Sequence, residues 1–147
     1  MNKLLIAVLF KLIIFSSITA NAHAIVMLNA SGTIAPTSSL TISLSGLVPA
    51  ASYSVVCYLT SNYPFHYILL DSYLTSNASK IIAFSLNGNY VTQDQLLMGT
   101  NLMVIDGTFA NPTTDTLLIT NLDQTNSLTV SKCFAIPLRI AQVERSL

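Results

Sequence analysis

The chain has 147 residues, of which 52% are hydrophobic and only 8% are charged, with six basic side chains balancing six acidic ones. It has no basic patch of the kind that neutralises phosphates, so nucleic acid is excluded as an expected partner. Serine, threonine and asparagine supply most of the polar positions, and these residues suit strands and turns better than helices. The composition therefore predicts an all-β protein.

The start of the chain has the layout of a secretory signal peptide. Lys3 provides a short basic region, an apolar run follows, and small residues then alternate toward cleavage sites after Ala22 or Ala24. The alternative is an uncleaved membrane anchor over residues 4–22, but Lys11 interrupts that apolar run. We therefore expect a secreted or periplasmic protein with no membrane span after cleavage.

Removal of a signal peptide over residues 1–24 leaves 123 of the 147 residues, which is one domain's worth. We expect that domain to span residues 25–137, with a C-terminal tail over 138–147. Four basic and six acidic side chains then remain, a net charge of −2. Lysine is the usual guard of sheet edges, and only two lysines are left, so the edges are weakly protected.

Four segments in the first half have the patterns of strands. They are residues 39–45, 52–60, 65–73 and 80–87. In the first segment Leu40, Ile42 and Leu44 share one face, and serine and threonine occupy the other. The third segment is apolar on both faces, which is typical of a central strand.

A short helical turn is predicted next. Thr92 and Gln95 fit a capping box, and the apolar residues that follow end at Gly99, a helix stop signal. The spacing indicates one or two helical turns over residues 92–99.

Strands resume over residues 101–106, 115–121 and 127–137. In the last of these, Val130 and Cys133 fall in opposite phases, which a one-residue bulge near Ser131 or Lys132 would reconcile. Strands at intervals of about ten residues, separated by turn formers, are typical of a sandwich or barrel. The pattern predicts an antiparallel β-sandwich.

One turn carries a likeness to a known family. Gly46, Leu47, Pro49 and Tyr53 precede an alternating strand, and this arrangement resembles the tyrosine corner of fibronectin type III domains. The resemblance implies an immunoglobulin-like sandwich in which the Tyr53 hydroxyl binds backbone a few residues upstream. It covers about fifteen residues and occurs early in the domain rather than late. Neither strand order nor binding function is therefore transferred, and a plain hairpin tyrosine packed in the core is the alternative.

The two cysteines, Cys57 and Cys133, are expected to form a structural disulfide. Both fall at strand positions of an exported chain, and neither has the paired motif that redox or metal chemistry needs. The segments that end at these cysteines, residues 40–57 and 117–133, also share a plan. Two equivalent hairpins, one from each half of the sandwich, and two unrelated hairpins are equally good interpretations of that likeness.

A catalytic site of the Ser-His-Asp type would have to use His66, because it is the only histidine left after cleavage at residue 24. Asp71 is the candidate for the group that orients its imidazole. The Gly-x-Ser-x-Gly pattern of hydrolases is absent. One histidine and two oxidised cysteines do not make a zinc site. We therefore expect no metal, no cofactor and no enzymatic activity, with a small secreted hydrolase built on His66 as the alternative.

Residues 58–73 are rich in aromatic side chains. The candidate binding residues are Tyr58, Tyr63, Phe65, His66 and Tyr67. Aromatic residues near a turn can bind a protein or a carbohydrate. The other interpretation is that they line the core of a central strand, and it is the favoured one for Phe65 and Tyr67.

The sequence thus favours a secreted or periplasmic, non-enzymatic binding module with an adhesive, envelope-associated or host-facing role. The alternatives are the hydrolase and a structural subunit that assembles through its sheet edges. Self-association into a homo-oligomer is compatible with the weakly charged edges.

Overall fold

The computed structural model describes residues 24–90 and 93–138. The predicted signal peptide, apart from Ala24, and the predicted tail, apart from Leu138, lie outside the described residues. Within these two ranges every regular element is a strand. The strands are β1 (Val26–Leu28), β2 (Gly32–Ile34), β3 (Ser39–Ser43), β4 (Ala51–Ser61), β5 (His66–Tyr73), β6 (Lys80–Leu86), β7 (Asn89–Tyr90), β8 (Gln93–Leu96), β9 (Gly99–Phe109), β10 (Thr116–Asn121) and β11 (Leu128–Pro137).

The strands form two antiparallel sheets packed face to face. The larger sheet has the order β1-β11-β4-β9-β6-β7, and β2 also pairs with β11; the smaller sheet has the order β3-β10-β5-β8. Side chains that alternate inward from both sheets form one apolar core, as in sandwiches generally. Its most deeply buried members include Ile42, Leu44, Val55, Leu59, Ile68, Ile105, Leu117 and Ile119. The predicted β-sandwich is confirmed.

The strand pairs are nested along the chain. β1 and β2 pair with β11, β3 pairs with β10, β4 with β9, and β5 with β8. Nested antiparallel pairs divided between two sheets are the arrangement of a jelly roll, and they differ from the strand order of immunoglobulin constant domains. A relationship to the fibronectin type III family therefore stays a prediction that rests on the corner alone.

The predicted helical turn over 92–99 is wrong. Gln93–Leu96 is an extended strand, β8, that pairs with β5 so that His66 lies opposite Leu96 and Leu69 opposite Gln93. A segment this short forms too few helical hydrogen bonds to offset the cost of helix nucleation. As a strand, it forms hydrogen bonds directly with the free edge of β5. Gly99, with φ of 99°, begins β9 instead of ending a helix.

Strand β9 continues through residues 107–109, beyond the end of the strand predicted over residues 101–106. Gly107 allows this, because a Cβ there would lie 2.9 Å from the Lys80 carbonyl oxygen and 2.9 Å from the Phe109 ring. The register of β6 against β9 shifts between Ile81 and Ala83, beside this close approach. The glycine therefore lets the bulged strand β6 come near β9.

The bulge predicted in β11 is confirmed, since its register against β4 shifts between Val130 and Lys132. Because one extra residue resets the alternation, both Val130 and Cys133 face the core. The predicted disulfide is also present. Cys57 and Cys133 lie opposite each other on neighbouring strands, with their Cα atoms 4.2 Å apart.

The two similar segments are not hairpins. Each runs from the smaller sheet to the larger one, β3 to β4 in the first and β10 to β11 in the second, so each is an arch, a connection that crosses between the sheets. The two arches pair with each other through β3–β10 and β4–β11. Cys57 and Cys133 occupy equivalent positions in the two paired arches. The disulfide therefore links β4 to β11, two neighbouring strands of the larger sheet.

The first arch contains the corner. Tyr53 is 1% exposed, and its hydroxyl accepts a hydrogen bond of 3.0 Å from the backbone N–H of Val48. This is the contact expected of a tyrosine corner. The chain reaches it through Gly46, with φ of 99°, and through a turn at Pro49 and Ala50. Leu47 is buried beside them.

Replacing Tyr53 by phenylalanine is expected to lower the free energy of unfolding by about 1 to 2 kcal/mol, because the Val48 N–H would lose its acceptor beside the buried tyrosine ring. The urea midpoint measures this loss. Tyr73→Phe is the control, since Tyr73 is 59% exposed. Equal midpoints for Tyr53→Phe and the wild type would contradict the role of the hydroxyl.

Candidate functional site

The structure divides the five candidate binding residues among three places. Tyr63, Phe65 and Tyr67 are exposed at one end of the sandwich, at 40%, 62% and 44%. His66 is fully buried beneath them, and Tyr58 lies on the outward face of the larger sheet. The favoured interpretation that Phe65 and Tyr67 line the core is therefore wrong. β5 has a solvent-facing side because its sheet is covered on one face only.

The exposed group forms where two arches leave the sheets side by side. Strand pairing places His66 opposite Leu96 and Ser61 opposite Gly99, so the β4–β5 arch (62–65) and the β8–β9 arch (97–98) adjoin. Leu97 and Met98, 63% and 71% exposed, thereby join Tyr63 and Phe65. We call these four residues the apolar tip.

Hydrogen bonds beneath the apolar tip fix both arches. The Gln95 amide donates to the Pro64 carbonyl at 2.6 Å and accepts from the Tyr67 hydroxyl at 3.3 Å. The buried Asn101 amide accepts from the Leu97 backbone N–H and donates to the Leu97 carbonyl, both at 2.8 Å. The apolar side chains thus project from a backbone that is already ordered.

A buried polar chain lies under the β4–β5 arch. His66 Nδ1 lies 3.0 Å from Ser61 Oγ, and His66 Nε2 lies 2.6 Å from the Asn121 amide oxygen. All three side chains are 0% exposed. The Asn121 amide nitrogen also donates to the backbone carbonyls of Ile34, at the end of β2, and of Ala35 and Asn126, which lie in two connections.

That chain has the order hydroxyl, imidazole, amide, which nucleophilic hydrolases use. Here, however, the Ser61 side chain is inaccessible to solvent. The Asn121 amide nitrogen is already hydrogen-bonded to backbone carbonyls. Asp71, the candidate orienting group, lies on the outward side of β5 and is exposed, whereas His66 faces inward. Asn121 takes the place at the imidazole that was predicted for Asp71.

Asp123, in the β10–β11 arch, carries a negative charge at this end. Its carboxylate accepts backbone N–H bonds from Thr125 at 2.7 Å and Asn126 at 2.6 Å. These bonds, that from Thr125 first, lower the pKa of Asp123 to about 2. The carboxylate is therefore ionised and turned onto its own loop. Both described lysines lie elsewhere, Lys80 toward the opposite end and Lys132 on the outward face of the larger sheet.

Sequence reasoning missed Leu97 and Met98. The signal was present, because two apolar residues directly before a glycine occupy a connection, where polar residues are usual. Their assignment to a helical turn hid it.

Among residues 24–90 and 93–138, no three His, Cys, Asp or Glu side chains come together as metal ligands would. The same ranges contain no helix that is long and apolar enough to span a membrane.

No protein-family model, no curated protein and no solved structure matches the chain.

Proposed function

We propose that the protein is a secreted or periplasmic, non-enzymatic binding module, envelope-associated, that docks through its apolar tip on the interfacial layer of a lipid membrane. The observation that carries the proposal is the exposure of Phe65, Leu97 and Met98, each above 60%, on two adjoining arches. A patch of this kind on an otherwise well-packed domain indicates an interaction site.

The chemistry of the apolar tip favours lipid over carbohydrate. A sugar site needs polar groups around its aromatic platform, whereas the neighbouring Gln95 and Asn101 amides bind the arches themselves. Phe65, Leu97 and Met98 are purely apolar and project outward. Tyr63 and Tyr67 are less exposed, at 40% and 44%, and their hydroxyls suit the headgroup level, where tyrosine is enriched.

Charge further defines the lipid. Asp123 carries a negative charge at this end, and the two described lysines lie away from it. Of the basic residues that the structure describes, none lies at the apolar tip, where it could attract anionic headgroups. A zwitterionic surface is the expected target, bound weakly and reversibly, because three partly exposed side chains supply only about 3 to 5 kcal/mol.

The test uses the absence of tryptophan from the chain. Phe65→Trp places a single fluorophore in the apolar tip, directly before β5, and Tyr73→Trp places one at the far end of β5, at a matched exposure of 59% against 62%. With phosphatidylcholine vesicles, the Phe65→Trp emission should shift to the blue and the protein should co-float. The Tyr73→Trp emission should not shift.

Adding Leu97→Ser and Met98→Ser to the Phe65→Trp protein should abolish both signals while the unfolding midpoint changes little. Vesicles that leave the Phe65→Trp emission unchanged would overturn the lipid proposal. Saturable binding of a soluble oligosaccharide or protein to the apolar tip, in place of vesicles, would assign it to that class instead.

A further inference from the structure

The outward face of the larger sheet is apolar at its centre. Outward-pointing residues alternate along β4, β9 and β11 with those that enter the core. On a sandwich this outer side is expected to be polar. Seven of the central positions are apolar instead, and we call them the outer patch: Met27, Val56, Tyr58, Leu102, Val104, Phe134 and Ile136.

Polar residues border the outer patch at both ends of the strands. Thr60, Thr100 and Thr129 form a row across one end, and Ser52 and Thr108 are paired at the other. Met27 is 66% exposed, and Leu102 and Ile136 are each 38% exposed. An apolar area with a polar rim is typical of a protein interface, and the aromatic pair Tyr58 and Phe134, with ring centroids 6.3 Å apart, supplies the residue type that interfaces favour.

Two opposite charges flank the outer patch. Lys132 is in register with Tyr58, and its ammonium lies 4.9 Å from that ring. Asp106 is in register with Ser54, whose hydroxyl donates to the carboxylate. Within the described parts of the chain, neither charge has an ion-pair partner. Each charge is held at the edge of an apolar area with its charged end available.

The two charges are placed symmetrically about one residue. Strand β4 runs between β11 and β9, and Val56 lies one row from Tyr58 and one row from Ser54. Val56 is therefore midway between Lys132 and Asp106, which are about 17 Å apart on ideal strand spacings.

We propose that a second copy of this chain packs face to face on the outer patch. The two copies are related by a twofold axis that runs parallel to the sheets, between them, and passes over Val56. Rotation about that axis can exchange the positions of Lys132 and Asp106. Each lysine then meets the aspartate of the other copy, and two equivalent ion pairs enclose the apolar centre. An isologous dimer requires this self-complementarity, which an unrelated partner would not impose.

The dimensions fit such a dimer. Four strands and the five rows from Thr60 to Ser52 cover about 19 Å by 30 Å on ideal spacings. That planar footprint is about 570 Å², and the relief of the side chains adds accessible area to it, toward the roughly 800 Å² that each partner buries in an interface of standard size. The contact uses a sheet face, not the sheet edges suggested by the scarcity of lysine, and it leaves the apolar tip uncovered.

Charge reversal tests the pairing. The wild-type protein should be a concentration-dependent dimer in sedimentation equilibrium. Lys132→Glu alone and Asp106→Lys alone should each weaken the dimer at least about tenfold, because each places like charges together twice. An equimolar mixture of these two variants should form heterodimers, since both of its pairs are again opposite. The double variant should dimerise by itself for the same reason.

Asp71→Lys is the matched control, because it makes the same change on the exposed face of the other sheet and should leave the dimer intact. Leu102→Glu provides a second route to a monomer if a charge variant folds poorly. A wild-type protein that stays monomeric at millimolar concentration would overturn the proposal. So would a dimer that survives Lys132→Glu, or variants that remain monomeric when mixed.

Discussion

Reduction of the Cys57–Cys133 bond is expected to lower the free energy of unfolding by about 4.5 kcal/mol, the value that the loop-entropy relation gives for a sequence separation of 76 residues. For one domain of this size the loss corresponds to a fall of roughly 10 to 20 °C in Tm. Both cysteines are 0% exposed. Reductant should therefore act only after the protein has opened, and the native bond should be reduced slowly.

The measurement compares denaturant midpoints of the wild-type protein with and without dithiothreitol after equilibration. The side-chain volume is almost unchanged by reduction, so the difference reports the cross-link more than the packing. The double variant Cys57→Ala, Cys133→Ala is the control, because its midpoint should be low and indifferent to reductant. A wild-type midpoint that does not respond to complete reduction would show that the bond adds no stability.

The disulfide and the strands around it could be predicted because their signals are local. The alternation of apolar and polar residues in 39–45 and 52–60 indicates which side of each strand faces the core. A break in the alternation near Ser131 indicates a bulge. Neither signal depends on which strands are the neighbours. A predicted signal peptide and a count of two cysteines were enough to predict the bond. Pairing partners are different, since the nested order depends on contacts between residues far apart in sequence.

The failures have the same physical origin. Residues 92–99 carry local helix signals, and the neighbouring edge of β5 overrides them. The strands β1 and β2 have three residues each, too few to show an alternating sequence pattern. They form because their backbones can hydrogen-bond to β11. The apolar tip brings residues 62–65 beside 97–98 through sheet pairing alone. No pattern within either arch could have predicted that neighbourhood.

Asp115 shows what a turn aspartate does when tertiary structure covers it. It is 1% exposed and joins the β5–β6 arch (74–79) to the β9–β10 arch (110–115). One carboxylate oxygen accepts from the backbone N–H of Thr75 at 2.7 Å and from its hydroxyl at 3.0 Å. The other accepts from the Ser79 hydroxyl at 2.6 Å and from the Asn111 N–H at 3.2 Å.

Asp115→Ala is therefore expected to lower the free energy of unfolding by about 3 to 5 kcal/mol, because it leaves several donors without an acceptor in a covered site. Asp115→Asn should also destabilise, since its amide NH₂ would face groups that donate. Urea midpoints at pH 7 measure both losses. Asp71→Asn, on an exposed face, is the control and should cost far less. A midpoint of Asp115→Ala close to that control would show that the two arches do not depend on the carboxylate.

The same carboxylate makes stability depend on pH. Burial raises the pKa of Asp115, but the hydrogen bonds from Ser79, Thr75 and Asn111 outweigh burial, and the pKa in the folded protein lies below its ordinary value. As the pH falls, the unfolded chain takes up a proton first. The stabilisation is thus complete above about pH 5 and is lost as the pH falls toward the folded-state pKa.

The gap in unfolding free energy between wild type and Asp115→Asn should accordingly narrow from pH 6 to pH 2. Some acid sensitivity should persist in the variant, because the pKa of Asp123 is also lowered, to about 2. A gap that stays constant over this range would mean that Asp115 binds protons equally in the folded and unfolded states.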